Sequence, residues 1–276
     1  MKTDRRSSSS KSRATAQITL LTDFGTSDYY VGAVKGVILS INPATTIVDI
    51  THKVPPHDIE SAAFTLLGCY QTFPAGTVHV GVVDPGVGSA RRAIAASAGG
   101  QLFVGPDNGL FSYVFDREPP KKVVQLTNEE FFRHPVSNTF HGRDIFAPVA
   151  AALSKGTRLD SFGPEISDVV RLENLAPTEL ENGDLRGRII HIDHFGNCAT
   201  NFDAQTVGNV QSLHLKIKGL NISGLQQSYD EGKRKRKVFA IWGSAGFLEI
   251  SARKRSAAKL LNVKRGDRVV LELNQR

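Results

Sequence analysis

The chain has 276 residues, 40% of them hydrophobic and 22% charged, which leaves room for one large or two moderate globular domains. No apolar run approaches the roughly 20 residues of a membrane-spanning helix, and this excludes an integral helical membrane protein. The net charge of +7 is concentrated in residues 1–13 and in the run Lys233–Lys237, with the rest slightly acidic; solvated charge explains this better than a nucleic-acid-binding face.

Residues 1–16 are Ser-rich and basic without an apolar stretch, so they are no secretory signal. Arg and Ser enrichment is also the mark of a transit peptide, but Asp4 and the lack of an amphipathic pattern favour a disordered tail. From Ile18 strands and helices alternate. Ile18–Leu21 reads as a buried strand and residues 28–41 as a helix stopped before Pro43. Thr46–Ile50 is a second strand, and Asp58 suits the N-cap of a helix carrying Ile59, Ala63, Leu66, Leu67 and Tyr70. Val78–Val83 is a third strand, with further strands near Arg92–Ala96 and Leu102–Val104 and a helix at Ile145–Leu153.

This alternation predicts an α/β domain over 17–176, with a parallel or mixed sheet flanked by helices. Residues 177–184 read as a linker. Leu185–Ile192, Leu213–Ile217, Val238–Trp242, Phe247–Ser251 and Arg268–Leu273 predict a smaller all-β, barrel-like domain over 185–276. The two cysteines, Cys69 and Cys198, supply no disulfide framework and fit a reducing compartment.

The chemistry-bearing residues fall in turns that follow apolar runs, at the edge of such a sheet where ligands bind. Asp23, before Phe24 and Gly25, is placed to accept hydrogen bonds from vicinal hydroxyls or simply to cap the next helix. The turn Asp84-Pro85-Gly86-Val87-Gly88 brings backbone close to a ligand and lets Arg91 return to Asp84, in a binding site or in an ordinary ion pair. His141 precedes Asp144, itself an expected helix N-cap. Gly105–Gly109, with Asp107 and Asn108, is a turn rich in hydrogen-bonding groups. Asp193, Phe195 and Asn197 cluster at a strand end, and Ser244 lies in the Gly-rich turn after Trp242. His79, Asp84, His141, His191 and His194 lack the paired spacing of zinc enzymes, so no metal is expected.

Together LTDFGTSDYYVGAVKG, VDPGVGSARR, GPDNGL, NTFHGRDIFAPVAA, IDHFGN and WGSAGFLEIS resemble, in order and over Ile18–Leu273, the adenosine-forming S-adenosyl-L-methionine hydrolases (hydroxide adenosyltransferases). That family is related to the fluorinases and chlorinases. The resemblance implies a homotrimer with active sites between the N-terminal domain of one subunit and the C-terminal domain of the next. It implies Asp84, Arg91 and His141 as the catalytic set, and Asp23, Phe24, Asp107, Asn108, Phe195 and Asn197 as contacts to adenosine. Asp193 and Ser244 are implied as contacts to methionine. The substrate is then S-adenosyl-L-methionine, with water as co-substrate and no cofactor.

The halogenases carry a tyrosine where this chain has Asp84, and a Tyr-Ser pair in place of His141-Gly142. Asp84 would repel a halide and Gly142 offers no hydroxyl, so water is the expected nucleophile. Ala245 stands where halogenases place an arginine. The expected activity is hydrolysis to adenosine and methionine in the cytoplasm, with no membrane or nucleic-acid partner. The alternatives are a halide-dependent transferase and a non-catalytic nucleoside-binding protein.

Overall fold

The computed structural model describes residues 17–208, 213–230 and 237–273. The expected tail and most of the basic run at 233–237 lie outside the described residues. In the first half the elements are β1 (Gln17–Thr22), α1 (Tyr30–Ile41), β2 (Thr46–Thr51), α2 (Ile59–Leu67) and β3 (Val78–Val82). There follow β4 (Ala93–Ala98), β5 (Gln101–Pro106), α3 (Ser112–Arg117), β6 (Lys122–Gln125) and α4 (Ala147–Ser154). They build a six-stranded sheet in the order β2-β1-β3-β5-β4-β6. β2, β1, β3 and β5 run parallel, and β4 is antiparallel to β5 and β6. The mixed α/β architecture is the one expected. Because β1, β3 and β5 are parallel, the turns carrying Asp23, Asp84 and Asp107 all leave one edge of the sheet.

Both faces of this sheet are covered, which is why its strands are near-continuous apolar runs. Ile18, Leu20, Val80 and Val104 pack under α1 and α4 on one side. Leu21, Phe103 and Phe111 pack under α2 and α3 on the other. Each such side chain removed from water contributes about 1.5–3 kcal/mol. Asp58 caps α2 by accepting from the Ser61 amide at 3.0 Å, a local signal read correctly from the sequence.

Asp144 does not cap a helix. The turn Gly142–Phe146 is π-helical and α4 begins only at Ala147. The Asp144 side chain turns inward, fully buried, and pairs with Arg133 and Arg143 while accepting from the Ser137 amide at 2.9 Å. The cause is non-local: two arginines and a loop amide outbid the helix terminus for one carboxylate.

The second half comprises β7 (Thr178–Glu179), β8 (Leu185–Ile192), β9 (Cys198–Asp203), α5 (Ala204–Val207), β10 (His214–Ile217) and β11 (Leu220–Ser223). It continues with β12 (Leu225–Gln226), β13 (Phe239–Trp242), β14 (Phe247–Ser251), α6 (Ala257–Leu261) and β15 (Arg268–Glu272). These strands form one curved, barrel-like sheet in the order β11-β10-β15-β8-β9-β14-β13-β12, with β7 paired to β8. Leu215, Phe202, Leu248, Ile250 and Leu271 fill its interior. Its outer face closes on α2: Phe64 stacks on His191 with ring centroids 4.8 Å apart, and Arg265 reaches Asp58 at 2.5 Å. No helix among the described residues is long and apolar enough to cross a membrane.

Candidate active site

Asp84 leaves the end of β3 into a tight turn closed by Val87 N–H to Asp84 O at 3.2 Å and Ser89 N–H to Gly86 O at 3.1 Å. Gly88 is required there: its φ is +76°, and a Cβ would overlap the carbonyl oxygen of Asn138. The turn brings Arg91 back onto Asp84. Arg91 Nε donates to Oδ1 at 2.9 Å and to Oδ2 at 3.1 Å, and Nη2 also donates to Oδ2. The pair is almost out of solvent, with the Asp84 side chain 6% and the Arg91 side chain 11% exposed. The guanidinium also lies over the Phe146 ring, 5.3 Å from its centroid.

The same Nη2 lies 2.8 Å from His141 Nδ1, so the trio forms one chain of contacts from carboxylate through guanidinium to imidazole. An arginine is always a donor, so Nδ1 must accept and the neutral ring carries its proton on Nε2. Burial, and then the positive charge of Arg91, hold the His141 pKa below the ordinary value of 6.5. His141 is therefore neutral near pH 7, with Nε2–H as its one ring donor.

The Asp23–Gly25 loop abuts this group. Phe24 packs edge-on against Phe140 at 5.9 Å, and a Cβ on Gly142 would lie 3.3 Å from Phe24 Cζ. Gly142 therefore leaves room for the Phe24 ring beside His141. Asp23 Oδ2 accepts from the His57 amide at 2.9 Å. The loop is secured by His52, whose carbonyl accepts from Gly25 N–H at 2.8 Å and whose Nδ1 lies 2.8 Å from Thr22 Oγ1. Nothing in the spacing of His52 marked this role, because it depends on pairing between β1 and β2.

Asp107 and Asn108 are engaged inside the chain. Asp107 takes Arg92 Nε on one oxygen and the Val170 amide on the other, both at 2.8 Å. Asn108 donates to the Val83 carbonyl at 2.8 Å, holding the strand end from which Asp84 emerges.

The predicted residues of the second half converge elsewhere. Asp193, Phe195, Asn197 and Ser244 line one cavity of about 770 Å³, together with Tyr229 and Glu249. Its described lining comes wholly from residues 193–256. Asp193 organises its own loop: Oδ1 accepts from the Phe195 and Asn197 amides, and Oδ2 from Asn197 Nδ2 at 2.8 Å. Gly196 has no room for a side chain beside Ser256, which caps α6 through Lys259 N–H at 3.1 Å. Phe195 stands 75% exposed at the rim, an apolar ring that the described residues leave largely uncovered. Ala245 points instead into the contact with α2, 3.7 Å from where a Gly68 Cβ would be. No three His, Cys, Asp or Glu side chains among the described residues converge as a metal site.

The structure thus sorts the predicted residues into two groups: Asp23, Phe24, Asp84, Arg91 and His141 at the edge of the first sheet, and Asp193, Phe195, Asn197 and Ser244 around the second-domain cavity. Tyr229 and Glu249 were not legible as lining. Glu249 occupies an alternating strand position that reads as solvent-facing, and Tyr229 sits in a loop without a motif.

Comparison with known proteins agrees over both halves. Residues 18–163 match the model of the SAM hydroxide adenosyltransferase N-terminal domain, and residues 187–270 that of the C-terminal domain. A Methanocaldococcus jannaschii protein named (R)-S-adenosyl-L-methionine hydrolase is 39% identical over 261 residues, spanning 89% of this chain and 92% of that protein. A Thermus thermophilus protein of the same name is 37% identical, with 89% and 95% covered. A fluorinase from an Actinoplanes species is 29% identical over 90% of this chain and 95% of its own. The solved structure of an uncharacterized conserved protein from Thermotoga maritima superposes with a TM-score of 0.85 at 33% identity, covering 92% of this chain and 99% of that one. With both domain models matched in order, the chain belongs to the SAM hydroxide adenosyltransferase family.

Proposed function

We propose that the protein hydrolyses S-adenosyl-L-methionine to adenosine and L-methionine, acting on the (R) epimer named for its archaeal and Thermus relatives. The observation that carries the reading is the Asp84–Arg91–His141 chain, which supplies an anionic acceptor and a neutral donor at one place. A water held there gives one hydrogen to Asp84 and accepts from His141 Nε2–H. Its remaining lone pair is then free to attack the ribose C5′ in line with the departing sulfur. The C5′–O bond forms as the C5′–S bond breaks, the sulfonium takes the bonding pair and leaves as the neutral thioether of methionine, and Asp84 receives the proton. No general acid is needed for such a leaving group. Asp84 is accordingly the proton acceptor. Arg91 orients its carboxylate and sets the tautomer of His141.

In this reading Asp23 holds the ribose hydroxyls beside Phe24, Phe195 and Asn197 receive the adenine, and Asp193 and Ser244 lie by the methionine. Asp107 and Asn108 support the strand ends beneath, which is what their internal bonds favour. The active unit is a homotrimer in which the Asp84 group of one subunit faces the Phe195 cavity of the next. The separation of the two groups on one chain and the uncovered Phe195 ring support this arrangement. The free cysteines favour a cytoplasmic setting.

The deciding experiment incubates the protein with resolved (R) and (S) epimers in ¹⁸O-water, with and without fluoride or chloride. Adenosine and methionine form from the (R) epimer, with ¹⁸O in the 5′-hydroxyl. A 5′-halo product would overturn the reading in favour of a halogenase, and bound nucleoside without turnover in favour of a binding protein. Light scattering checks the assembly against three times the 30.0 kDa chain mass.

A further inference from the structure

Two arginines stand side by side at the approach to β4, and they serve different parts of the molecule. Arg91 holds Asp84 and His141. Arg92 has other partners. Its Nε donates to Asp107 Oδ2 at 2.8 Å, its Nη1 to Asp168 Oδ1 at 2.7 Å, and its Nη2 to the Asp168 carbonyl at 2.6 Å. Nη2 also lies 2.6 Å from Asp107 Oδ2, so all three guanidinium nitrogens are engaged. The Arg92 carbonyl in turn accepts from the Asp107 amide at 2.9 Å. Side chain and main chain of one residue are thus fixed to the same aspartate.

Asp107 is a firm anchor. Its side chain is buried, its other oxygen takes the Val170 amide at 2.8 Å, and its neighbour Asn108 bonds the Val83 carbonyl. The segment that follows Asp168 is itself fastened to the first domain, with Leu172 N–H donating to Ser112 Oγ at 2.8 Å. Arg91, by contrast, lies outside the strand ladder, which begins at Ala93, and its amide bonds within its own turn, to Ser89 Oγ at 3.2 Å. The direction of the Arg91 side chain therefore depends on the peptide that joins it to Arg92.

We propose that Arg92 is a positioning residue for the hydrolysis: clamped between Asp107 and the chain at Asp168, it fixes the peptide it shares with Arg91 and so holds the Arg91 guanidinium against Asp84 and His141 together. Its effect on turnover rests on the hydrolase reading, whereas its effect on His141 does not. A guanidinium suits the task because its planar fork meets two partners in fixed directions, while an ammonium is a point charge without orientation. A displacement of about 1 Å at a reacting group is enough to cost on the order of 10²-fold in rate. A clamp that only fastened residues 168–172 to the first domain would add stability and leave the Asp84–Arg91–His141 chain unaltered by its loss.

The test uses Arg92→Lys, which keeps a cation at buried Asp107, and the double variant Arg92→Gln with Asp107→Asn, which leaves no unpaired buried charge. Turnover of S-adenosyl-L-methionine is measured as kcat and KM. The His141 ring is titrated by proton NMR on the free protein, its signal identified by its absence from His141→Asn. In wild type, burial and the Arg91 charge hold the His141 pKa below 6.5, against the opposing charges of Asp84 and Asp144. A guanidinium that has drifted off the ring no longer repels its proton, so the midpoint should rise in the double variant and by a smaller step in Arg92→Lys. Turnover, as kcat, should fall by roughly 10–100-fold in the double variant and less in Arg92→Lys, with KM within about threefold of wild type. If circular dichroism shows the double variant unfolded, Arg92→Lys decides on both readouts. An unmoved His141 midpoint, an unchanged kcat, or a loss confined to KM or to thermal stability overturns the proposal. If wild-type protein releases no adenosine, the hydrolase reading fails, and the His141 titration alone then decides whether Arg92 positions Arg91.

Discussion

Replacing Asp84 by Asn removes a charge and almost no volume, so it isolates what the carboxylate does. Both oxygens of Asp84 face Arg91, with Nε at 2.9 Å from Oδ1 and Nη2 bonded to Oδ2, in surroundings that leave the two side chains 6% and 11% exposed. In Asp84→Asn one oxygen still accepts, while the new amide hydrogens oppose the guanidinium. One charge-assisted bond is lost and one donor meets another, together costing about 2–4 kcal/mol. The melting temperature should fall by roughly 5–15 °C for a chain of this size. A domain stable by about 5–15 kcal/mol survives that loss, so turnover can be read on folded protein at 25 °C. The catalytic loss should be larger, about 10²–10⁴-fold in kcat, because the water has no acceptor for its proton. Chromatographic assay of adenosine gives kcat, and calorimetry with adenosine gives product affinity, which should change less than about threefold. A variant with kcat within threefold of wild type, or one whose loss lies entirely in KM, would refute Asp84 as the proton acceptor.

Further outcomes follow from the same geometry. His141 works as the neutral ring and its pKa is depressed by burial and by Arg91, so kcat should stay level from pH 8 to below 6.5 and fall only as the pH drops through the lowered value; a midpoint at or above 6.5 would refute the tautomer argument. Burial holds His79, which bonds Thr19 at 2.8 Å within the core, at a pKa of about 4 against 6.5 in the unfolded chain. The unfolded chain therefore takes up the proton first as the pH falls, and stability that is full above 6.5 should decline by about 3 kcal/mol on reaching pH 4. Urea titrations of wild type and His79→Phe, the latter lacking this limb, measure it. Gly142→Ser places a Cβ 3.3 Å from Phe24 Cζ, and should cost about 1–2 kcal/mol, lower turnover and yield no halogenated nucleoside with chloride present. Asp58→Ala removes both the cap of α2 and the partner of Arg265, and a loss of roughly 2–3 kcal/mol in chemical denaturation is expected.

What could be read from the sequence was local or periodic. The N-cap at Asp58, the stop of α1 before Pro43 and the apolar runs of β1 and β3 each depend on a few adjacent residues, and they appear where expected. β9 escaped notice because its buried positions include polar Asn201, whose side chain accepts from Arg188 N–H at 2.7 Å and donates to the Leu175 carbonyl at 3.0 Å. A composition-based reading counts such a residue against a buried strand, whereas the fold satisfies it from distant segments. Asp107 and Asp144 share that logic: Arg92 and Val170 claim the first, and Arg133 and Ser137 help claim the second. In the candidate site the return of Arg91 to Asp84 was legible from the turn. The contact of Arg91 with His141, fifty positions later, was not, because no short-range pattern encodes it.

The π-helical turn at Gly142–Phe146 has a consequence for how this chain can diverge. It fits one residue more than a regular turn would hold, and His141 sits directly before it. Each residue of an α-helix advances the chain by about 100° around its axis. Losing one residue here would shift the register by about that angle and swing His141 away from Arg91 Nη2, and losing Asp144, Ile145 or Phe146 would also remove a buried ion pair or a core side chain. The length of the segment, as well as the identity of its residues, therefore sets where His141 sits relative to Arg91. A one-residue deletion here takes His141 off Arg91 even where the backbone around it becomes more regular.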